Sequence, residues 1–348
     1  MLKMICFLIV CVAILLTACN NSVCEGNTGK KTESCEPHTE SDNPHMEQEP
    51  QEVRGGINHG VIDPYPLDVD FTLVYDGTPI VLTYMLHNGE REDEWGLSLF
   101  INGVQHPFYV GDFIESTPMY VASYEADEKK EVDISFIPKI GSIGDVLSVS
   151  FVVMLNPSFV ILDSEEFRSF GNNHAITQMP WNLFLEKEPA VQVNDIFTGG
   201  NNELPSENFL ERYVVETENG ILENMLDTSV HFEFYQDGFW ETDIFVNKDD
   251  NTLAFTIKAA GQFGESPEIN AFRISLYTDH QLINAFDGNR YLDMTIEEGM
   301  VTSFDFELES HLLLDKNHIY IIVTPLADDV AIHNPPIVKT ASMPIVTI

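Results

Sequence analysis

The chain predicts an all-β protein of two antiparallel β-sandwiches, and three features of the sequence predict it. Apolar residues recur with period two in short runs. Asn, Asp, Gly and Pro split those runs at sandwich-like intervals. No helix-periodic stretch of a dozen residues occurs. Period two matters because successive side chains on a strand point to opposite faces, so one face can be buried while the other meets water.

The first half supplies four such runs. Ile80 to Leu86 is one; Leu97 to Ile101 is another, and the Asn102-Gly103 pair after it marks a tight hairpin. Val132 to Ile137 alternates apolar and polar, and Val146 to Leu155 is a longer strand closed by Asn156-Pro157. The second half repeats the texture. Val230 to Tyr235 and Phe239 to Val246 flank the turn Gln236-Asp237-Gly238, followed by runs at Thr252–Lys258, Phe272–Tyr277, Val301–Leu308 and His318–Thr324. The halves resemble each other locally: Gly96 to Phe100 matches Arg273 to Tyr277, and Val132 to Phe136 matches Phe304 to Leu308, at nearly constant offset. Strand count and spacing suit two Ig-like modules. Between them, roughly 158–229, the texture is irregular. Asp163 with Glu166 could cap a short helix ending near Gly171, Thr198 to Asn202 reads as a loop, and Pro205 to Tyr213 as a helical turn.

The N-terminus has a different character. Lys3 precedes thirteen apolar residues, Met4 to Leu16. That run is short of the roughly 20 residues a membrane-spanning helix needs, and suits the apolar core of a signal peptide. Leu16-Thr17-Ala18-Cys19 follows, and this resembles the lipobox of bacterial lipoproteins. The resemblance covers about the first twenty residues. It implies cleavage before Cys19, a diacylglycerol on its thiol, further acylation of the new N-terminus, and a protein held on the extracytoplasmic face of a bacterial membrane. Two or more acyl chains, at about 0.8 kcal/mol per buried CH₂, make a stable anchor.

The expected organisation is therefore a signal peptide at 1–18, a lipid-anchored flexible tether at 19–62, a first β-sandwich with an irregular C-terminal extension at 63–192, and a second at 193–348. Residues 20–62 contain no Phe, Tyr or Trp and are rich in Asn, Glu, Ser, Gly and Pro, too polar to offset the entropy of ordering.

Seventeen basic residues stand against 56 acidic ones, for a net charge of −39. Nucleic-acid binding relies on basic side chains displacing counterions from phosphate, so it is not expected. The field favours cations and basic partners, and the acids also act as a solvated coat. An envelope protein or polymer is the expected partner besides the membrane. Of five Cys, Cys6 and Cys11 fall in the leader and Cys19 takes the lipid. Cys24 and Cys35 remain, both in the tether, where they could pair in an oxidising exterior or stay free.

Catalytic patterns are sparse. The Gly-x-Ser-x-Gly elbow, His-Glu-x-x-His and a phosphate-cradling Gly-rich loop are all missing from the sequence, and no Cys follows Cys35. His231, expected on the exposed face of its strand, and His174 are lone candidate bases. Asp287-Gly288-Asn289 with Glu298 echoes an EF-hand loop, but Leu292 stands where that loop needs Gly and Tyr291 where it needs an oxygen ligand. No cofactor is expected, with calcium the one candidate, at the turns holding Asp249 and Asp250 and Asp328 and Asp329. Trp95 and Trp240 are candidate ligand-stacking residues; Trp181 is the third tryptophan. The expectation is a non-catalytic surface binding module. An envelope hydrolase with an acidic site and a transporter's solute-binding lipoprotein are the alternatives, the last disfavoured by the shortage of helices.

Overall fold

Alternating apolar residues do form strands here, and the strands stack as two sandwiches. The architecture comes from a computed structural model that describes residues 57–63, 72–112, 114–158, 175–177, 181–216, 222–227, 229–240, 243–261, 270–326, 337–340 and 342–348. Val53–Ile348 is one compact unit. Cys19, Cys24, Cys35, His174, Asp328, Asp329 and the Asp163–Gly171 helix lie outside the described residues. No helix among the described residues is long and apolar enough to cross a membrane.

In the first sandwich the strands are β1 (Asn58–Asp63), β2 (Thr72–Tyr75), β3 (Ile80–His87), β4 (Asp93–Ile101), β5 (Val104–His106), β6 (Tyr109–Val110), β7 (Met119–Tyr124), β8 (Lys129–Phe136), β9 (Val146–Leu155), β10 (Ala175–Thr177) and β11 (Trp181–Leu185). One sheet runs β1-β3-β8-β6. The other runs β2-β11-β9-β4-β5, with β10 on β9 and β7 on β4. Their inner faces meet through Leu82, Tyr84, Leu97, Leu99 and Phe151, and the Tyr84 and Phe151 rings lie 4.8 Å apart. Strand β1 starts at Asn58, inside the stretch expected as tether. Its pairing with β3 recruits a segment that carries no aromatic signal of its own.

The second sandwich holds β12 (Ile196–Thr198), β13 (Asn201–Glu203), the short helix α1 (Glu207–Glu211), β14 (Val214–Glu216), β15 (Leu222–Asn224), β16 (Val230–Gln236), β17 (Phe239–Trp240), β18 (Ile244–Val246), β19 (Thr252–Gly261), β20 (Ala271–Thr278), β21 (Gln281–Leu282), β22 (Tyr291–Thr295), β23 (Val301–Glu309), β24 (His318–Leu326), β25 (Val338–Lys339) and β26 (Met343–Thr347). One sheet runs β13-β23-β19-β16-β17. The other runs β12-β22-β20-β24-β26-β18, with β21 on β20 and β25 on β24. The helical turn expected at Pro205 to Tyr213 is α1, capped by Ser206, whose side chain accepts from the Phe209 N–H. The loop expected over Thr198 to Asn202 shrinks to Gly199-Gly200, where the chain leaves one sheet for the other. Gly200 has φ +140°, and a Cβ there would stand 2.8 Å from Thr302 Cγ2.

The strand plan repeats. Leu82 faces Ile134 as Phe255 faces Phe306, and Trp95 faces Ala122 as Phe272 faces Met294. In each sandwich one strand late in the fold also takes a parallel partner, β2 on β11 and β18 on β26. With β12 on β22, these are three parallel pairs among described strands that otherwise pair antiparallel.

The hairpins follow turn chemistry. Asn102 (φ +43°) and Gly103 (φ +73°) have the paired positive φ of a type I′ turn, and Asp237 and Gly238 repeat it. Gly103 also seats the sandwiches against each other, since an added Cβ would lie 2.7 Å from Thr324 Cβ. Around that hairpin the outer faces of β4 and β9 pack on those of β20 and β24. Phe100, Val152 and Met154 meet Tyr277, Tyr320 and Ile322 in a shared core. The Tyr277 and Tyr320 rings stack at 5.2 Å and 5°, and the Tyr320 hydroxyl reaches Met154 Sδ at 3.7 Å. Arg273 spans the joint. Its guanidinium donates twice to Asp293, 2.8 Å each, and once to the Asn102 carbonyl at 2.7 Å.

Candidate functional site

The Gly199-Gly200 crossing leaves one strand edge uncovered. β13 pairs only with Val301 to Ser303 of β23, and beyond it no described strand pairs with the outer edge of Phe304 to Glu309. A groove of about 750 Å³ runs along this edge. Six consecutive β23 residues, Phe304 to Glu309, line it whichever way their side chains point, so its wall is the strand's own backbone edge. Phe197 of β12, the loop around Asn284 and Asp287, and His311 and Leu312 complete the lining. At about 3.4 Å per residue the open edge is roughly 20 Å long.

The two faces of β23 differ in chemistry because the strand alternates Phe-Asp-Phe-Glu-Leu-Glu. Phe304, Phe306 and Leu308 turn inward. Phe304 lies 5.4 Å from the Phe197 ring and 6.1 Å from Phe286, and Phe286 lies 5.3 Å from Phe306, so the floor is aromatic. Asp305, Glu307 and Glu309 are exposed on the other face. Their neighbours across β19 are Thr256, Ala254 and Thr252, none of them basic. The Thr256 hydroxyl donates to Asp305 at 2.6 Å, and His311 stands 3.0 Å from Glu309.

Most residues singled out from sequence lie elsewhere. Trp95 is 6% exposed in the first core, with its indole N–H donating to Asn88 Oδ1 at 2.9 Å. It presents no stacking face, because its strand is flanked by β7 and β9 and its ring fills the space between sheets. Trp181 is buried likewise. Trp240 pairs with Tyr235 in the β16–β17 hairpin. Asp249 and Asp250 sit exposed in a turn organised by Asn247, whose side chain accepts from the Asp249 N–H and whose carbonyl accepts from the Asp250 N–H. Among the described residues no three His, Cys, Asp or Glu side chains gather as a metal site. Asp287-Gly288 is a hairpin turn with positive φ at both residues, bridged by Phe286 and Asn289, and leads into strand β22.

His231 is half-buried rather than exposed. Its ring lies 4.7 Å from Tyr213, which the α1 segment lays over the outer face of β16. Its Nε2 meets Ser229 Oγ at 2.7 Å, while that hydroxyl donates its single proton to the Met225 carbonyl at 2.8 Å. The imidazole is then the donor to the serine, the reverse of a base drawing a proton from a nucleophile. Under the same cover Glu233 is buried. Its Oε1 accepts from the Tyr213 hydroxyl at 2.7 Å, and Oε2 accepts from Arg212 at 3.0 Å and from the Tyr235 hydroxyl. Burial first, then the bond to Glu233, pushes the Tyr213 hydroxyl well above its ordinary range. The cluster pins α1 to the sheet.

Of the groove residues, the sequence reading raises for binding only Asp287 and Gly288, in the EF-hand-like stretch set aside above, and none on β23. The available signal was Phe304 to Glu309 itself, a strand with alternating acids and aromatics and no edge-protecting Lys or Pro.

No protein-family model matches the chain, and no characterised protein matches it by sequence. Among solved structures, a Porphyromonas gingivalis protein of unknown function aligns at 10% identity and a TM-score of 0.21, covering 84% of this chain and 98% of that one. The CsuC–CsuE chaperone–tip adhesion subunit complex of Acinetobacter baumannii pili aligns at 11% and 0.20, over 84% and 99%. The E. coli chaperone DraB aligns at 10% and 0.23, over 83% and 95%. At these scores none of them bears on what this chain binds. The all-β, sandwich character rests on its own sheets.

Proposed function

We propose that this chain is a cell-surface lipoprotein, anchored through Cys19 on the extracytoplasmic face of a bacterial membrane, whose folded unit is a non-catalytic binding module. The leader and lipobox support the anchor. The groove beside β23 carries the binding half of the reading: a preformed channel with an aromatic floor and, along one wall, a strand edge that no described strand pairs. The groove lining includes no serine, threonine or cysteine, and the acids of β23 project from the strand's outer face rather than toward the floor. That layout suits recognition better than acid–base chemistry, which needs carboxylates converging on a reacting atom.

Two measurements on the full chain test the reading. Cys19→Ala should leave unprocessed or released protein; a variant still processed and membrane-bound removes the anchor. Released Cys19→Ala protein should co-sediment with isolated cell envelopes. Retention only with calcium would give the Asp249-Asp250 turn a role, retention in chelator as well would assign binding to the groove, and no retention in either would sink envelope binding.

A further inference from the structure

The first sandwich shows what fills the position left open in the second. Strand β8 there matches β23, with Ile134 opposite Leu82 as Phe306 is opposite Phe255. On the outer edge of β8 lies β6, with Val110 beside Ile134 and Tyr109 beside Ser135. Val110 is 4% exposed and points into the core, whereas Tyr109 is 41% exposed and points out. Carried onto β23, the same two places stand beside Phe306 and Glu307, and they are the middle of the open groove.

We infer that this edge takes up an extended strand from a partner protein, with apolar residues facing Phe304, Phe306 and Leu308 alternating with Lys or Arg facing Asp305, Glu307 and Glu309. The inference deepens the binding reading above and rests on it. Residues directly opposite on neighbouring strands share a face, so a guest residue beside Phe306 enters the groove as Val110 does, and one beside Glu307 stands outside as Tyr109 does. The backbone edge supplies the ladder hydrogen bonds, and the side-chain alternation supplies selectivity. Charge chooses the partner. A second copy adding through its own β23 would bring Asp305, Glu307 and Glu309 against themselves. The chain's other segments do not fit either, because nowhere in its 348 residues do two basic side chains stand two apart.

The test uses the purified full chain in detergent and a short peptide alternating valine with lysine. Two comparison peptides are used, one alternating valine with glutamate and one with the lysines and valines in separate blocks. The alternating lysine peptide should bind and slow amide hydrogen exchange at residues 304–309, and the block peptide should give no such protection at equal charge. The double variant Asp305→Lys/Glu307→Lys, changed only at exposed positions, should bind the lysine peptide about tenfold more weakly and should gain affinity for the glutamate peptide. Protection elsewhere, equal protection by the block peptide, or an unchanged preference in the variant would overturn the inference. So would protection of 304–309 that appears without peptide and grows with protein concentration, since that would make the occupant a second copy. The two readings fail separately. A chain that ignores the peptide yet needs Cys19 for membrane retention and still binds envelopes keeps the anchored-binder reading, whereas one that takes the peptide but is indifferent to Cys19→Ala loses the anchor and keeps the groove.

Discussion

In the first sandwich Val110 of β6 sits almost fully buried against Ile134, and β6 covers the β8 edge at Ile134 and Ser135. In the second, the matching place beside Phe306 is a groove of about 750 Å³. The difference arises in the connections. Between β5 and β7 the chain of the first sandwich crosses to the opposite sheet and lays down β6. Between β21 and β22 the second stays at the rim as the loop around Asn284 and the Asp287-Gly288 turn. One strand plan thus yields one sandwich sealed at this place and one in which, among the described residues, the same place has no partner strand.

Four measurements bear on this difference between the sandwiches. The largest effect is expected at the joint between the sandwiches. Arg273→Ala leaves the partly buried Asp293 and the Asn102 carbonyl without their cation and should cost about 3 kcal/mol in denaturant unfolding. A loss below about 1 kcal/mol would mean the shared tyrosine stack, not the ion pair, holds the joint.

Next comes a histidine of the sealed sandwich. His106 is buried. Its Nδ1–H donates to the Val104 carbonyl at 2.8 Å, and its Nε2 accepts from the Lys139 N–H at 3.0 Å. Burial pushes its pKa down to about 4; the bond to Val104 opposes that and the Lys139 charge adds to it. In the unfolded chain the group titrates near 6.5. As pH falls through 6.5 the unfolded chain takes a proton that the folded one refuses, so stability drops from about pH 6.5 to 4 and this contribution is constant below. The whole drop is on the order of 3 kcal/mol. His106→Gln should be less stable at neutral pH yet lose this part of the acid dependence. A parallel pair of curves would show that His106 is not its source.

Opening the closed edge should cost less. Val110→Ala should reduce stability by about 2 kcal/mol and speed exchange of the amides beside β6, making the first sandwich resemble the second. The smallest effect belongs to the edge already open: Glu307→Ala should change stability by no more than about 0.5 kcal/mol. A larger loss there would mean that Glu307 has a structural partner and the edge is not free.

Much of the strand plan was legible. Val146–Leu155 appears as a strand with the same ends, and the hairpins at Asn102-Gly103 and Asp237-Gly238 form where the turn residues stand. Short pieces such as β2, β6 and β13 were less legible, because two to four residues hold too little periodicity and depend on the neighbour that pairs them; the run expected from Phe239 to Val246 divides into β17 on β16 and β18 on β26, in different sheets. Ser98, Ser148, Ser150 and Ser275 hold the polar places of the period-two alternation. All are buried, because that face packs on the other sandwich and small side chains let the sheets approach. Trp95 looked like a ligand platform for the complementary reason: a sequence shows an aromatic at a strand start without showing that a sheet closes over it.

The acidity, the period-two strands and the turns are written in residue type and spacing along single segments, and so are legible without the fold. Only the folded arrangement shows which polar faces are buried, that His231 lies under Tyr213, and that β8 has a strand beside Ile134 where β23 has none described beside Phe306. Side-chain alternation encodes the two faces of a strand. Its edges are backbone, nearly the same for every residue, so whether an edge is paired depends on where distant connections run.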